Sequence, residues 1–169
     1  MRTLLALRSL FFLALLPGTV AGYVPFLIVR ATRGSFDVTM SLMTVLAATF
    51  IVLGVFVLLR CVWDFFFAGE GTLAPIDPPR HLVVRGLYRY TRNPMYNGVL
   101  AALLGEAWLF QSRALLLYAA AICILFHLFV VLYEEPALET AFSDSYRRYQ
   151  QHVPRWGFTF RAYESAEPR

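Results

Sequence analysis

Apolar residues come in long runs, and short polar stretches punctuate them. Residues 4–29 are almost wholly apolar, interrupted by Arg8 and by Pro17-Gly18. A bilayer-crossing helix needs about 20 apolar residues, and residues 9–29 supply them with a kink expected at the proline. Arg2, a short apolar run and Thr19-Val20-Ala21 also fit a secretory signal with a small-residue cleavage site. Apolar sequence continues to Val29, which favours a retained span. Residues 30–37 read as a polar turn. Residues 38–59 carry no charge and form a second expected span, with helix continuing to Phe67. Arg60 and Asp64 lie one turn apart and are expected to pair where that helix leaves the bilayer. Residues 95–110 give a third, shorter span and residues 114–133 a fourth. Gln111-Ser112-Arg113 alone separates them, which predicts an antiparallel hairpin.

Between the second and third spans the pattern breaks. Residues 69–79 hold three prolines and two glycines, so they predict an ordered but irregular loop. Gly69-Glu70-Gly71 has no strand before it and no helix directly after it, which excludes a dinucleotide fingerprint. Beyond the fourth span, Leu138, Phe142, Tyr146 and Tyr149 recur every three or four residues beside Asp144, Arg147, Arg148 and Gln150. That spacing predicts an amphipathic helix lying in the membrane interface. Val153-Pro154-Arg155-Trp156 should end it, with Trp156 at headgroup depth. Residues 161–169 read as a polar tail, disordered from Glu164. The fold class expected is all-α: a polytopic integral-membrane protein with about four transmembrane helices and a C-terminal amphipathic helix.

Composition agrees with this class. The 169 residues are 59% hydrophobic and 15% charged, with mean hydropathy +0.58. Soluble domains run at about 45–50% apolar and about 25% charged. Every basic residue is arginine and the net charge is +4. The arginines flank apolar spans, which fits topology and argues against a nucleic-acid partner. Arg2 and Arg8, the 80–92 cluster, and Arg147, Arg148, Arg155 and Arg161 outweigh Arg30, Arg33 and Arg113 on the other side. Positive-inside logic therefore puts both termini and the middle loop in the cytoplasm. Cys61 and Cys123 show no metal-ligand spacing, and no metal site is expected.

Candidate chemistry gathers in residues 80–98, where Arg80, Arg85, Arg89 and Arg92 stand among Tyr88, Tyr90 and Tyr96. Asn93 suits an N-cap and Pro94 the first helical position, so a helix N-terminus should face this loop and favour an anion. Glu134-Glu135 emerge on the same side. His127, Val131, Glu134 and Leu138 follow helical spacing down one face, which pairs a histidine with a carboxylate. Glu106 is an intramembrane carboxylate that Arg113 is placed to pair with. The same arginines and tyrosines also suit lipid headgroups and an interfacial belt.

Residues 82–98 (Leu-Val-Val-Arg-Gly-Leu-Tyr-Arg-Tyr-Thr-Arg-Asn-Pro-Met-Tyr-Asn-Gly) resemble the core motif of the isoprenylcysteine carboxyl methyltransferase family. Membrane phospholipid N-methyltransferases share a related motif. The similarity extends over the Gly71-Thr72…Pro75…Pro78-Pro79 loop, Glu134-Glu135-Pro-Ala-Leu138, Phe142, Tyr146, Tyr149 and Val153-Pro154. It covers roughly residues 69–156, while the first two spans match only as apolar helices.

The resemblance implies a membrane enzyme using S-adenosylmethionine on a lipophilic acceptor. Two N-terminal helices (1–68) would precede a catalytic half (69–160) and the tail. Cofactor contacts would fall on Arg80, His81, Leu82, Val83, Tyr88, Asn93, Pro94, Met95, Tyr96 and Glu134, with Arg92 among the arginines that can pair the cofactor carboxylate. His127 and Glu135 are the nearest groups to take a proton from an amine or hydroxyl acceptor. Two positions depart from the pattern: Asn93 stands where many members have histidine, and Val130 where prenylcysteine methyltransferases place a substrate-holding arginine. A related architecture in membrane sterol reductases would instead imply NADPH, and a non-catalytic membrane protein is the third reading.

Overall fold

A computed structural model describes residues 17–33, 38–68 and 82–164. A π-helical turn at Thr19–Tyr23 leads into α1 (Val24–Arg33). Then come α2 (Leu42–Ala68), α3 (Pro94–Leu109) and α4 (Arg113–Phe129). A second π turn, Val130–Glu134, joins α4 without a break to α5 (Glu135–His152). No strand occurs among the described residues. Two helices are long and apolar enough to cross a membrane: Leu42–Asp64 within α2, and the continuous helix Arg113–His152.

The boundaries shift for local reasons. Helix α1 runs on to Arg33, into the expected polar turn. Helix α2 starts at Leu42 rather than Val38, because the Ser41 hydroxyl accepts from the Thr44 amide at 3.2 Å and sets the first turn. At the 111–112 turn Gln111 adopts φ +48°, and Ser112 caps α4 by accepting from the Leu115 amide at 3.3 Å. Helix runs on from the fourth span into the amphipathic segment without interruption, and the bend falls at Ser143 (φ +42°).

Helices α2 and α3 meet backbone to backbone. A methyl group on Gly54 would stand 2.5 Å from the Gly98 carbonyl oxygen and 2.7 Å from the Ala102 nitrogen. One on Gly105 would stand 2.9 Å from the Ala47 carbonyl. Small residues permit such approach between apolar helices, where dispersion replaces the hydrophobic effect as the cohesive force. Val99, Leu103, Ala119 and Ile122 then join α3 to α4, with Leu58 and Phe126 against them. The outer faces stay apolar: Val52, Phe56, Leu117 and Leu132 are each more than 60% exposed. Arg60 and Asp64 pair as expected, Nε to Oδ2 at 3.2 Å, and Asp64 is buried.

Candidate active site

The chain after α5 does not trail away. Residues 153–164 fold back along residues 89–92 as an extended strap. The Arg92 amide donates to the Pro154 carbonyl (2.9 Å), Thr159 to Tyr90 (2.9 Å) and Tyr163 to Arg89 (3.0 Å). Arg89 also donates through Nε to the Tyr163 carbonyl and through Nη2 to Glu164. Glu164, expected in a disordered tail, is thus held by an ion pair. Tyr146, Tyr149 and Val153 form a buried cluster beneath, packed by Leu82, Val84 and Leu138. The Tyr149 hydroxyl donates to the Tyr88 carbonyl. Burial pushes the Tyr88 and Tyr149 phenols above their ordinary range, so both stay neutral donors at physiological pH.

The loop is fastened at its other end too. Gly86 turns with φ +54° directly over the Asp64 carboxylate, where any Cβ would collide with Oδ2. Glycine is required there on both counts.

Pro94 opens α3 at its first position, as expected, but Asn93 caps nothing with its side chain. Its amide donates instead to the Arg155 carbonyl at 3.1 Å. The α3 N-terminus therefore keeps its dipole and free N–H groups while Asn93 ties the strap down.

Glu135 is the hub. Arg92 Nη1 reaches its Oε1 at 2.7 Å; Arg155 Nε and Nη2 bind Oε1 and Oε2 at 2.7 and 2.8 Å. Three of its four lone-pair sites are filled, so the carboxylate expected to accept a proton is committed to holding three segments together. Hydrogen bonding to Glu135 raises the Arg155 guanidinium above its ordinary range. Arg92 Nε is buried with no partner among the described residues.

Beside this hub lies an aromatic corner. Tyr96 donates its hydroxyl to Glu134 Oε2 at 3.1 Å. The Tyr96 ring stands 4.6 Å from Phe126 and 6.4 Å from Trp156, centre to centre. Trp156 Nε1 donates to His127 Nδ1 at 3.0 Å. The expected pairing of His127 and Glu134 on one helix face takes a different form. The π turn inserts one residue between them and turns the face by about 100°. Each finds its own partner, and Tyr96 and Trp156 link the two. A neutral His127 that accepts at Nδ1 carries its proton on Nε2, which leaves no lone pair for the expected general base in this arrangement. Val130, one of the two positions that depart from the expected pattern, is buried.

Leu82, Val83 and Met95 line the loop half-buried, and Pro94 is buried. Arg80 and His81 lie outside the described residues. Glu106 sits on α3 near Tyr118, and no ion pair joins it to Arg113 among the described residues. Arg155 and Trp156 complete the candidate site and were not among the residues the sequence singled out for it. Their partners are 20 to 62 positions distant, and nothing in the Pro-Arg-Trp run announces them.

A family model described as phospholipid methyltransferase matches residues 42–145, more than half of the chain. No curated protein and no solved structure matches it. The matched segment runs from α2 into α5 and ends before the strap.

Proposed function

The chain belongs to the phospholipid methyltransferase family, and we propose that it transfers a methyl group from S-adenosylmethionine to a nitrogen on a lipophilic acceptor. Membership implies a membrane methyltransferase; the cofactor, the acceptor atom and the topology are our reading. The observation that carries it is the Glu134–Tyr96 pair, set between the open N-terminus of α3 and the Phe126 and Trp156 rings.

Each group of the cofactor has a complement there. Its carboxylate suits the α3 N-terminus and the unpartnered Arg92 Nε. Its ammonium or ribose hydroxyls suit the remaining lone pairs of Glu134. Its adenine and sulfonium suit the ring faces of Tyr96 and Trp156, with Leu82, Val83 and Met95 as apolar wall and Tyr88 and Pro94 fixing the loop. When bound, the cofactor supplies an activated methyl carbon for in-line displacement. The residues bind, orient and exclude water, and such placement alone is worth several kcal/mol of the barrier.

Nitrogen is favoured over oxygen for a reason of proton inventory. A hydroxyl must lose its proton as it attacks, and three of the four lone pairs of Glu135 and the lone pair of His127 Nδ1 are occupied. A neutral amine attacks with its own lone pair, and the product ammonium sheds a proton to water afterwards. An acidic acceptor is disfavoured, because buried Val130 offers no cation to hold it. In this reading the first apolar segment (residues 9–29) and α3 cross the membrane beside the two long apolar helices, and both termini and the strap face the cytosol, where the soluble cofactor is.

Calorimetry on the purified protein in detergent tests the assignment. S-adenosylmethionine should bind, and Glu134→Ala should weaken it by about 2–4 kcal/mol, the scale for losing a charged partner. Unchanged affinity in the variant refutes the site. Label from the cofactor should then enter the lipid fraction and not a farnesylcysteine carboxylate.

A further inference from the structure

Trp156 comes from the strap, beyond the segment that matches the family, and it makes one directed contact on the site: its indole N–H to His127 Nδ1 at 3.0 Å. An indole nitrogen donates only, so this bond exists only with Nδ1 deprotonated. We propose that Trp156 is a positioning residue that fixes His127 as the Nε2–H tautomer, making it a hydrogen-bond donor to an oxygen of the lipid acceptor. This rests on the methyltransferase reading and deepens it, since it gives the acceptor a second point of attachment besides its reacting nitrogen.

The geometry supports a donor in this place. His127 is exposed on α4, a helix whose neighbouring side chains Ile124, Leu125 and Leu128 are exposed and apolar. The two rings lie 6.2 Å apart at 34°, and the indole meets the imidazole at Nδ1, so Nε2, across the ring, is turned away from the indole. On a lipid-facing surface an N–H without a partner is costly, and a phosphate, ester or hydroxyl oxygen of an amphiphile entering from the bilayer satisfies it. Trp156 is itself steadied: the Arg155 carbonyl is held by Asn93, and the Arg155 side chain by Glu135. The strap thus reaches the acceptor through a chain of directed contacts.

His152 provides a contrast within the same molecule. Its Nδ1 lies 2.7 Å from the Arg148 carbonyl, which only accepts, so His152 must carry its proton on Nδ1. The two histidines should show opposite tautomers.

The experiment uses the full chain in lipid nanodiscs with nitrogen-15-labelled histidine, His127 being assigned by difference against His127→Gln. Wild type should show His127 protonated at Nε2 and His152 at Nδ1; Trp156→Phe, which keeps the ring and removes the donor, should mix the His127 tautomers. In methyl transfer to extracted lipids, Trp156→Phe and His127→Asn should raise the acceptor KM about tenfold, the worth of one hydrogen bond, with cofactor affinity unchanged in His127→Asn. His127→Gln, whose amide nitrogen can stand where Nε2 stood, should stay within about threefold of wild type by the same scale. A His127 protonated at Nδ1 in wild type overturns the proposal, as does a Gln variant as impaired as the Asn variant, the outcome expected of a proton acceptor. If wild type transfers no methyl group, the methyltransferase reading fails, while the spectrum still decides the tautomer.

Discussion

Replacing Glu135 probes the centre of the molecule, and its cost can be worked from the contacts. Glu135→Ala removes three charge-assisted hydrogen bonds and strands two guanidinium groups of unequal exposure. The Arg155 side chain is 33% exposed and can rehydrate. Arg92 is 11% exposed and already has an unpartnered Nε, so it would remain as an uncompensated cation. Breaking a buried pair on one side costs about 3–5 kcal/mol. For a chain of this size that corresponds to a fall of roughly 6–20 °C in the melting temperature. Glu135→Gln keeps one acceptor oxygen and should fall between. The decisive variant is the triple replacement Arg92→Met, Glu135→Leu, Arg155→Met, which leaves no charge stranded. Its melting temperature should lie well above that of Glu135→Ala despite carrying two more substitutions, because desolvation of ions offsets much of their attraction. Thermal unfolding followed by tryptophan fluorescence in detergent reads all three. A triple variant as unstable as Glu135→Ala would refute the argument, since the loss would then come from packing and not from stranded charge.

Two further outcomes are expected. Gly54→Val should force α2 and α3 apart, because even the first carbon of the new side chain meets backbone at 2.5 Å; a loss of about 1–3 kcal/mol or more in the same melting assay is expected, and an unchanged melting temperature would show that the helices do not meet there. With Cys61 and Cys123 replaced, Met40→Cys should react with an impermeant thiol reagent from outside intact cells and Gln151→Cys only after the membrane is opened, both positions being exposed; labelling of Gln151→Cys from outside would invert the topology.

Much of this architecture was legible because long apolar helices announce themselves. Long apolar runs located α2, α3 and α4 to within a few residues, and the Arg60–Asp64 spacing alone foretold their bond. Pro94 marked the start of α3 for a local reason, its missing N–H. The errors cluster where an outcome depends on distant partners. Asn93 had a local use as a cap and a remote one in the Arg155 carbonyl, and the remote one prevailed. Helical spacing set His127 and Glu134 on one face, but a π turn changes the phase without any residue type that signals it. Glu135 looked like a free carboxylate because both its arginine partners come from other segments.

The strap explains how irregular backbone can stand beside apolar helices. Residues 82–93 hold only one short 3₁₀ helix, Gly86–Arg89, and carry further peptide groups that no helix satisfies; near a bilayer each unmet group is costly. Residues 153–164 have the same difficulty, and each segment supplies the other's partners through the bonds of Arg89, Tyr90 and Arg92. Neither segment is satisfied in this way without the other, so loop and strap order together. That coupling divides the proposed site into two sides. Under the proposed function the polar pair of segments, tied through Glu135, is the side towards water, where a charged cofactor would approach the α3 N-terminus. The exposed edge of α4 with His127 would be the side towards lipid. Tyr96, Phe126 and Trp156 stand together between these two sides, and under the proposed function methyl transfer would take place beside their rings, which would keep water from both reactants.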